Sequence, residues 1–329
     1  MYRQEKMIEI TDVRKSYGNK HAVKGISFEV KEGEILGFLG PNGAGKSTTL
    51  NIITGYLSAD SGSVKIDGTD ILQNPIKAKK DIGFLPEIPP LYLEMTVLEY
   101  LNFVYDLKGC KLPRKQHLKE ICEVVKIWDV ANRLTKNLSK GYRQRVGIAQ
   151  ALIGNPKVLI FDEPTIGLDP RQIIEIRNLI RMLGKEHTII LSTHILPEVQ
   201  AVCDRIVVIN KGEIVANEKT EDLINAVDGS RKLVAKIVGP QEEVLKAIRS
   251  LGGVKTADVL GKRDTDSISY LIESQDRVDI RKPLFALLSG RNWPLVGLEG
   301  MELSLEDIFM RLVGKEKEKE ERKARKGVR

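Results

Sequence analysis

Nowhere in its 329 residues does this chain carry the run of about 18 consecutive apolar residues that a membrane-crossing helix needs. Its opening stretch, Met1 to Ile10, has charged side chains where a signal peptide has its apolar core. Both absences lead to the expectation of a chain that stays in the cytoplasm and leaves any membrane path to another polypeptide. Cysteine is equally scarce. Cys110, Cys122 and Cys203 are odd in number and unclustered, which excludes a disulfide framework and fits a reducing compartment. No C-x-x-C or H-x-x-x-H spacing occurs, so a His/Cys metal site has no support, and His21, His117 and His187 are assigned no role.

Charge of one sign is not lacking. The 52 basic and 45 acidic residues leave a net +7, much of it in residues 315–329, where Lys-Glu alternation passes into a basic run. One reading is a solvated helix end or disordered tail. The other is attraction to an anionic membrane leaflet, worth about 1 kcal/mol per basic residue near the surface.

What the chain does have is a phosphate loop. Gly40 to Ser47 fits G-x-x-x-x-G-K-[ST] without a gap, after the apolar run Glu34 to Leu39 and before apolar residues at helical spacing from Lys46. Strand, glycine-rich turn and helix are the setting that this motif requires. Gly43 and Gly45 let the backbone N–H groups of the loop, with Asn42 among its residues, wrap a β-phosphate, and the helix N-terminus adds partial positive charge. Lys46 is expected to reach the β- and γ-phosphates, the Ser47 hydroxyl to ligate Mg²⁺, and Thr48 to donate to phosphate. The ligand is a nucleoside triphosphate.

Val158 to Glu163 is a strand apolar enough to be central and parallel, ending in two carboxylates. Asp162 stands where a Mg²⁺-organising carboxylate belongs, and Glu163 where a carboxylate can orient and deprotonate an attacking water. His194 follows another apolar strand, Thr188 to Thr193, and is expected on the same sheet edge as Asp162 and Phe38. A neutral imidazole there can bond a γ-phosphate oxygen.

Taken in order, these motifs resemble the ATP-binding subunit of an ABC transporter over about the first two-thirds of the chain. Tyr17 precedes the phosphate loop, Phe84-Leu85-Pro86-Glu87 lies where the family has its glutamine loop, and Leu138 to Gln144 matches the ABC signature. Gly167 to Pro170 matches the D-loop, and His194 the switch histidine. The resemblance implies that ATP is the nucleotide and that Tyr17 stacks on adenine. It implies that Ser139 and Gly141 donate to the γ-phosphate of an ATP held by a second ATPase subunit, so a homodimer forms both sites, with Asp169 crossing the interface. Glu163, His194, Lys46 and Glu87 would be catalytic, and Ser47, Asp162 and Glu87 would hold Mg²⁺. The partners implied are membrane-spanning permease subunits, with the chain peripheral on the cytoplasmic face and no nucleic acid expected.

Two positions depart from the family pattern. Lys140 and Tyr142 replace the third and fifth residues of Leu-Ser-Gly-Gly-Gln, and Glu87 stands where Gln is common. This pair is similar to the ABC-2 exporter branch, with its sodium-efflux, drug-resistance and gliding-motility members. Two other readings remain open at this point, a soluble ABC ATPase acting on nucleic acid or ribosomes and a non-hydrolysing regulatory subunit. The first normally carries two ATPase units or a long coiled coil, neither visible here.

The fold expected is α/β: a P-loop NTPase mixed sheet with an antiparallel β-subdomain and a helical subdomain, followed by a small α+β ferredoxin-like domain. Residues 1–224 form the ATPase domain, with the helical subdomain at about 88–140, residues 225–313 the accessory domain, and residues 314–329 a charged tail. Met7 to Val30 alternates as antiparallel strands, and Ser63 to Gly68 reads as a hairpin. Pro89 to about Thr135 reads as helical, with Val97, Leu101, Val104 and Leu107 on one face. The apolar start at Ile88 to Leu93 is either part of a groove for a membrane partner's helix or core packing of the subdomain. The turn-rich 225–230 marks a boundary. Beyond it, strands at 233–238, 254–260, 267–272 and 295–298 alternate with helices at 241–251 and 278–289 in the order βαββαβ, ending in a helix at 304–313. That domain is either dimerising or regulatory, or purely stabilising.

Overall fold

In a computed structural model, residues 5–222, 232–261, 266–275 and 278–301 are described. The turn at 225–230, the helix at 304–313 and the charged tail lie outside them. Contacts divide the chain into two units, Met1–Thr220 and Glu221–Arg329.

The larger unit opens with β1 (Lys6–Tyr17) and β2 (Lys20–Lys31), paired antiparallel as their alternation requires, with Ile8, Ile10 and Val13 buried. Asp12 takes a left-handed φ of 44° at the register shift between Ile10 and Val13, so the inward face is kept across the bulge. After β3 (Ile35–Leu39) and α1 (Lys46–Ile53), β4 (Ser61–Ile66) and β5 (Thr69–Asp70) form the hairpin, giving a four-stranded sheet β2-β1-β4-β5.

Next come α2 (Pro75–Lys80), β6 (Ile82–Leu85), α3 (Val97–Leu107), α4 (Arg114–Val124) and α5 (Lys140–Leu152). They are followed by β7 (Val158–Asp162), α6 (Pro170–Leu183), β8 (Thr188–Thr193), α7 (Leu196–Val202), β9 (Arg205–Asn210) and β10 (Glu213–Lys219). The second sheet runs β10-β9-β3-β8-β7-β6, parallel except for β10, and is therefore mixed. β7 and β8 are buried along their whole length, as strands covered on both faces must be. The two sheets share one core, in which Phe28 of β2 stacks on Phe38 of β3 at 5.5 Å. In the parallel register Phe38 and Asp162 both pair with Ser192, so β3, β7 and β8 end together.

The helical segment departs from its expected outline. Its first helix starts only at Val97, behind Pro89 and Pro90, where a capping box closes it: Thr96 N donates to Glu99 at 2.8 Å and Glu99 N to Thr96 Oγ1 at 3.3 Å. Val97, Leu101 and Val104 are buried, but Leu107 is 74% exposed and leaves the expected face. α3 ends there, and the inward place is taken by Lys108. Its ammonium donates to the carbonyls of Gln150, Ala151 and Ile153 (3.3, 3.2 and 2.9 Å) at the end of α5.

Two close approaches seat α5 on β6. A Cβ at Gly147 would stand 2.5 Å from Leu85 Cδ1, and one at Gly83 would collide with the Ala151 carbonyl. α7 lies as close on β3, where a Cβ at Gly37 would collide with Val199 and meet Cys203 Sγ at 3.2 Å.

The smaller unit contains β11 (Lys232–Ile237), α8 (Gln241–Arg249), β12 (Val254–Gly261), β13 (Ile268–Ser274), α9 (Arg281–Ser289) and β14 (Leu295–Met301). The sheet order β12-β13-β11-β14, antiparallel throughout, is the ferredoxin-like arrangement. Ala235, Ile272, Val244 and Leu284 lie in its core. Among the described residues no helix is long and apolar enough to cross a membrane.

Candidate functional site

The turn from β3 into α1 builds the floor of a cleft of about 380 Å³. Gly45 caps α1 with φ at 112°, and a Cβ there would meet the Ala22 carbonyl at 2.6 Å, so only glycine fits. The turn aims the first N–H groups of α1 into the cleft, where a helix N-terminus attracts anions. Lys46 is 6% exposed; its ammonium donates to Gly40 O at 2.8 Å and lies 3.4 Å from Glu163 Oε1.

The carboxyl ends of β7 and β8 supply one wall. Glu163 has a left-handed φ of 49°, an uncommon conformation for a residue with a side chain. It is held by its own N–H, which donates to Ser192 Oγ at 3.1 Å and Ser192 O at 3.2 Å. The Ser192 hydroxyl donates in turn to Asp162 Oδ1. Glu163 Oε2 lies 2.9 Å from His194 Nδ1, so one carboxylate is shared between an ammonium and an imidazole. Because an ionised carboxylate only accepts, Nδ1 carries the proton in this contact.

The cleft brings together most of the residues expected from the sequence. Asn42, Gly43, Gly45, Lys46, Ser47 and Thr48 line it from below, Glu163 and His194 from one side, and Glu87 from the loop after β6. Tyr17, 51% exposed at the end of β1, stands at its mouth. Asp162 is 4% exposed and lies behind this lining, against Ser192.

Ser139, Gly141 and Asp169 are not brought into the cleft; they lie together elsewhere on the same unit. Ser139 caps α5, accepting from Tyr142 N at 3.4 Å, and Asp169 caps α6, accepting from Gln172 N at 2.9 Å. A Cβ on Gly141 would stand 2.7 Å from the Gln172 side chain, and the Lys140 side chain lies against Gly167. Tyr142, the other departure in this segment, donates to Asp129 at 2.9 Å.

A Mg²⁺ ion fits this donor set. Among the described residues no three His, Cys, Asp or Glu side chains cluster around a common point. Mg²⁺ in phosphate sites needs no such cage, since it takes one or two protein oxygens and fills its octahedron with phosphate and water. Ser47 and Asp162, with Glu87 from the facing loop, offer hard oxygen ligands of that kind.

Ser192, Ile166 and Lys20 were not singled out from the sequence. Ile166 and Lys20 line the cleft, and Ser192 bridges the two carboxylate residues from a neighbouring strand. Only the pairing of β7 with β8 reveals that bridge. The histidines given no role have structural partners: His187 Nδ1 lies 2.7 Å from Pro156 O, His117 Nε2 accepts from Gly154 N at 3.0 Å, and His21 pairs with Ser16 at 2.9 Å.

Residues 23–166 match the family model described as ABC transporter. The linearmycin resistance ATP-binding protein LnrL of Bacillus subtilis is 34% identical over 311 residues, covering 94% of this chain and 99% of that one. The Nod factor export ATP-binding protein I of Rhizobium etli is 35% identical, with 95% of each chain covered. Among solved structures, a dimeric post-hydrolysis state of the ATP-binding cassette MJ0796, bound to ADP and Pi, aligns with a TM-score of 0.60. It is 30% identical over 65% of this chain and 99% of that one.

Proposed function

This chain belongs to the ATP-binding subunits of ABC transporters, and from that premise we propose that it hydrolyses ATP to drive an exporter whose membrane path is built by other polypeptides. The observation that carries the reading is the gathering of Lys46, Glu163 and His194 around one cleft, while Ser139 and Gly141 lie outside it. The first set suits a triphosphate and its attacking water. The second has nothing to act on in its own cleft and suits the γ-phosphate held by a second copy.

In this reading Tyr17 stacks on the adenine ring, and the phosphate loop binds the β- and γ-phosphates through its N–H groups and Lys46. Ser47 and Asp162, with help from Glu87, would hold Mg²⁺, which would neutralise charge on the phosphates. Glu163 orients water and takes its proton as the water oxygen bonds to phosphorus and the bond to the ADP oxygen breaks. His194 fixes the carboxylate through its Nδ1–H and faces phosphate with the rest of its ring. Once Glu163 is protonated, the Lys46 ammonium loses that carboxylate as an ion-pair partner and balances charge on the phosphate instead. Ser139 and Gly141 of one copy close on the nucleotide of the other, with Asp169 beside them, so ATP joins two subunits and hydrolysis parts them.

Transmission to the permease runs through the Glu87 loop. Gly147 and Gly83 seat α5, which Ser139 caps, directly on β6, which leads into Glu87. Ile88, Tyr92 and Leu93 stay exposed beside that loop and suit a permease surface. The names of the linearmycin and Nod factor relatives support export, and with it a peripheral place on the cytoplasmic face of the membrane. The domain division near residue 224 and a regulatory or dimerising role for the ferredoxin-like unit belong to the same proposal.

The test is the association state of Glu163→Gln in ATP and Mg²⁺, followed by light scattering. A dimer that ATP supports and ADP does not is the expected result, with turnover reduced by about a hundredfold or more. A variant that turns over like the parent removes Glu163 as the base, and one that stays monomeric removes the homodimer.

A further inference from the structure

Glu198 lies on α7, outside the cleft, and is 2% exposed. Its Oε2 accepts from two threonine hydroxyls, Thr165 at 2.7 Å and Thr193 at 3.0 Å. Thr165 follows Glu163 by two residues, and Thr193 immediately precedes His194. Both threonines are buried, and Thr193 Oγ1 also accepts from the Ile195 N–H at 3.1 Å, which clamps the backbone on either side of His194. One carboxylate oxygen therefore joins the turn that carries Glu163 to the strand end that carries His194.

The other oxygen is worse served. Glu198 Oε1 is buried without a hydrogen bond, and its nearest cation is Arg177 Nη2 of α6 at 3.9 Å. Arg177 Nε is itself buried and unpaired. A buried carboxylate compensated by one stretched ion pair is a poor stabiliser, and apolar packing of similar volume commonly serves stability better. What the carboxylate does supply is a fixed point for two hydroxyls. α7 is well held for that purpose: it is pressed on β3 at Gly37, and the Arg181 guanidinium of α6 donates to the Ala201 carbonyl.

We propose that Glu198 is a positioning residue for the hydrolytic step: by binding Thr165 and Thr193 together it sets the contact between Glu163 and His194. Through Arg177 it also ties that pair to α6, the helix that Asp169 caps. The proposal rests on the functional reading above, in which Glu163 and His194 serve hydrolysis.

The experiment compares the full-length protein with Glu198→Ala and Glu198→Gln. Three quantities are measured: steady-state turnover, binding of a fluorescent ATP analogue, and the ring resonances of isotopically labelled histidine. Glu198→Ala should lower kcat at least about tenfold, since a small misplacement of a catalytic group is enough for that. Its KM for ATP and its analogue binding should stay within about twofold, because the interaction acts on the transition state rather than on nucleotide binding. Glu198→Gln keeps an acceptor oxygen for both hydroxyls and should retain kcat within about threefold. The His194 resonances, assigned by their loss in His194→Ala, should shift in Glu198→Ala while those of His117 and His187 do not.

Parental kcat in Glu198→Ala, or unmoved His194 resonances, overturns the proposal. So does a parallel loss of binding, turnover and melting temperature in both variants, which marks a purely structural role. Failure of the functional reading shows separately, as absent turnover in the parent protein. The histidine spectra then still decide whether Glu198 sets the position of His194.

Discussion

His194 Nδ1 stands 2.9 Å from Glu163 Oε2, across the joined ends of β8 and β7. A neutral ring that donates from Nδ1 has only an acceptor left at Nε2, so it can hold the carboxylate but cannot also donate to a phosphate oxygen. A ring that bonds both must carry two protons. The contact itself thus favours holding Glu163 as the duty of His194 over polarising phosphate.

From this follows the behaviour of His194→Ala. Its turnover at saturating ATP, read as phosphate release, should fall about a hundredfold or more, because the base that takes the water's proton loses the contact that orients it. His194→Gln keeps one amide donor for the carboxylate and should fall less.

Gly37→Ala tests the fit of α7 on β3. The added methyl collides with Val199 and crowds Cys203 Sγ at 3.2 Å, and overpacking of this kind costs about 1–3 kcal/mol. Calorimetry should show the unit's melting temperature lowered by roughly 2–4 °C for each of those kcal/mol. Adding Val199→Ala should recover part of the loss, since it removes the methyl group in the way.

Lys108 gives the chain a specific pH dependence. Burial pushes its ammonium down to about 8 from the usual 10.5. Between those values the unfolded chain binds more protons than the folded one, so this group adds stability as pH rises through the window. The gain is complete above the unfolded value and is lost as pH falls through about 8. Denaturant titrations from pH 7.5 to 10 should therefore show Lys108→Met losing ground to the parent as pH rises, and an unchanged difference would mean that burial does not shift this ammonium.

The parts of the fold most legible in the sequence are those whose chemistry is local. Gly45 must be glycine because of its backbone angle and the Ala22 carbonyl, and the chain announces that through the spacing of the loop. Alternation marks β1 and β2, and unbroken apolar runs mark β7 and β8, because one pair of strands is covered on one face and the other on both. Leu107 misleads: helical spacing alone puts it inside, but the helix ends there and Lys108 turns in to bond the carbonyls of α5. Ser192 and Glu198 are silent for a different reason. Each acts across the strand pairing or helix packing on residues distant in the chain, and neither belongs to a spacing pattern.

The seating of α5 on β6 has a consequence for how this chain can change over generations. Gly83 meets the Ala151 backbone, and Gly147 meets Leu85 and Pro89, at two levels of the same contact. A larger residue at either level lifts the whole helix, and so unseats the other level as well. Residues 83, 85, 89 and 147 therefore constrain one another, whereas position 151 takes part only through a backbone carbonyl that every residue type carries. Trimming Leu85 alone does not free position 147, because Pro89 stands 3.0 Å from the same Cβ, so a change there needs compensation on both β6 and the loop that follows it.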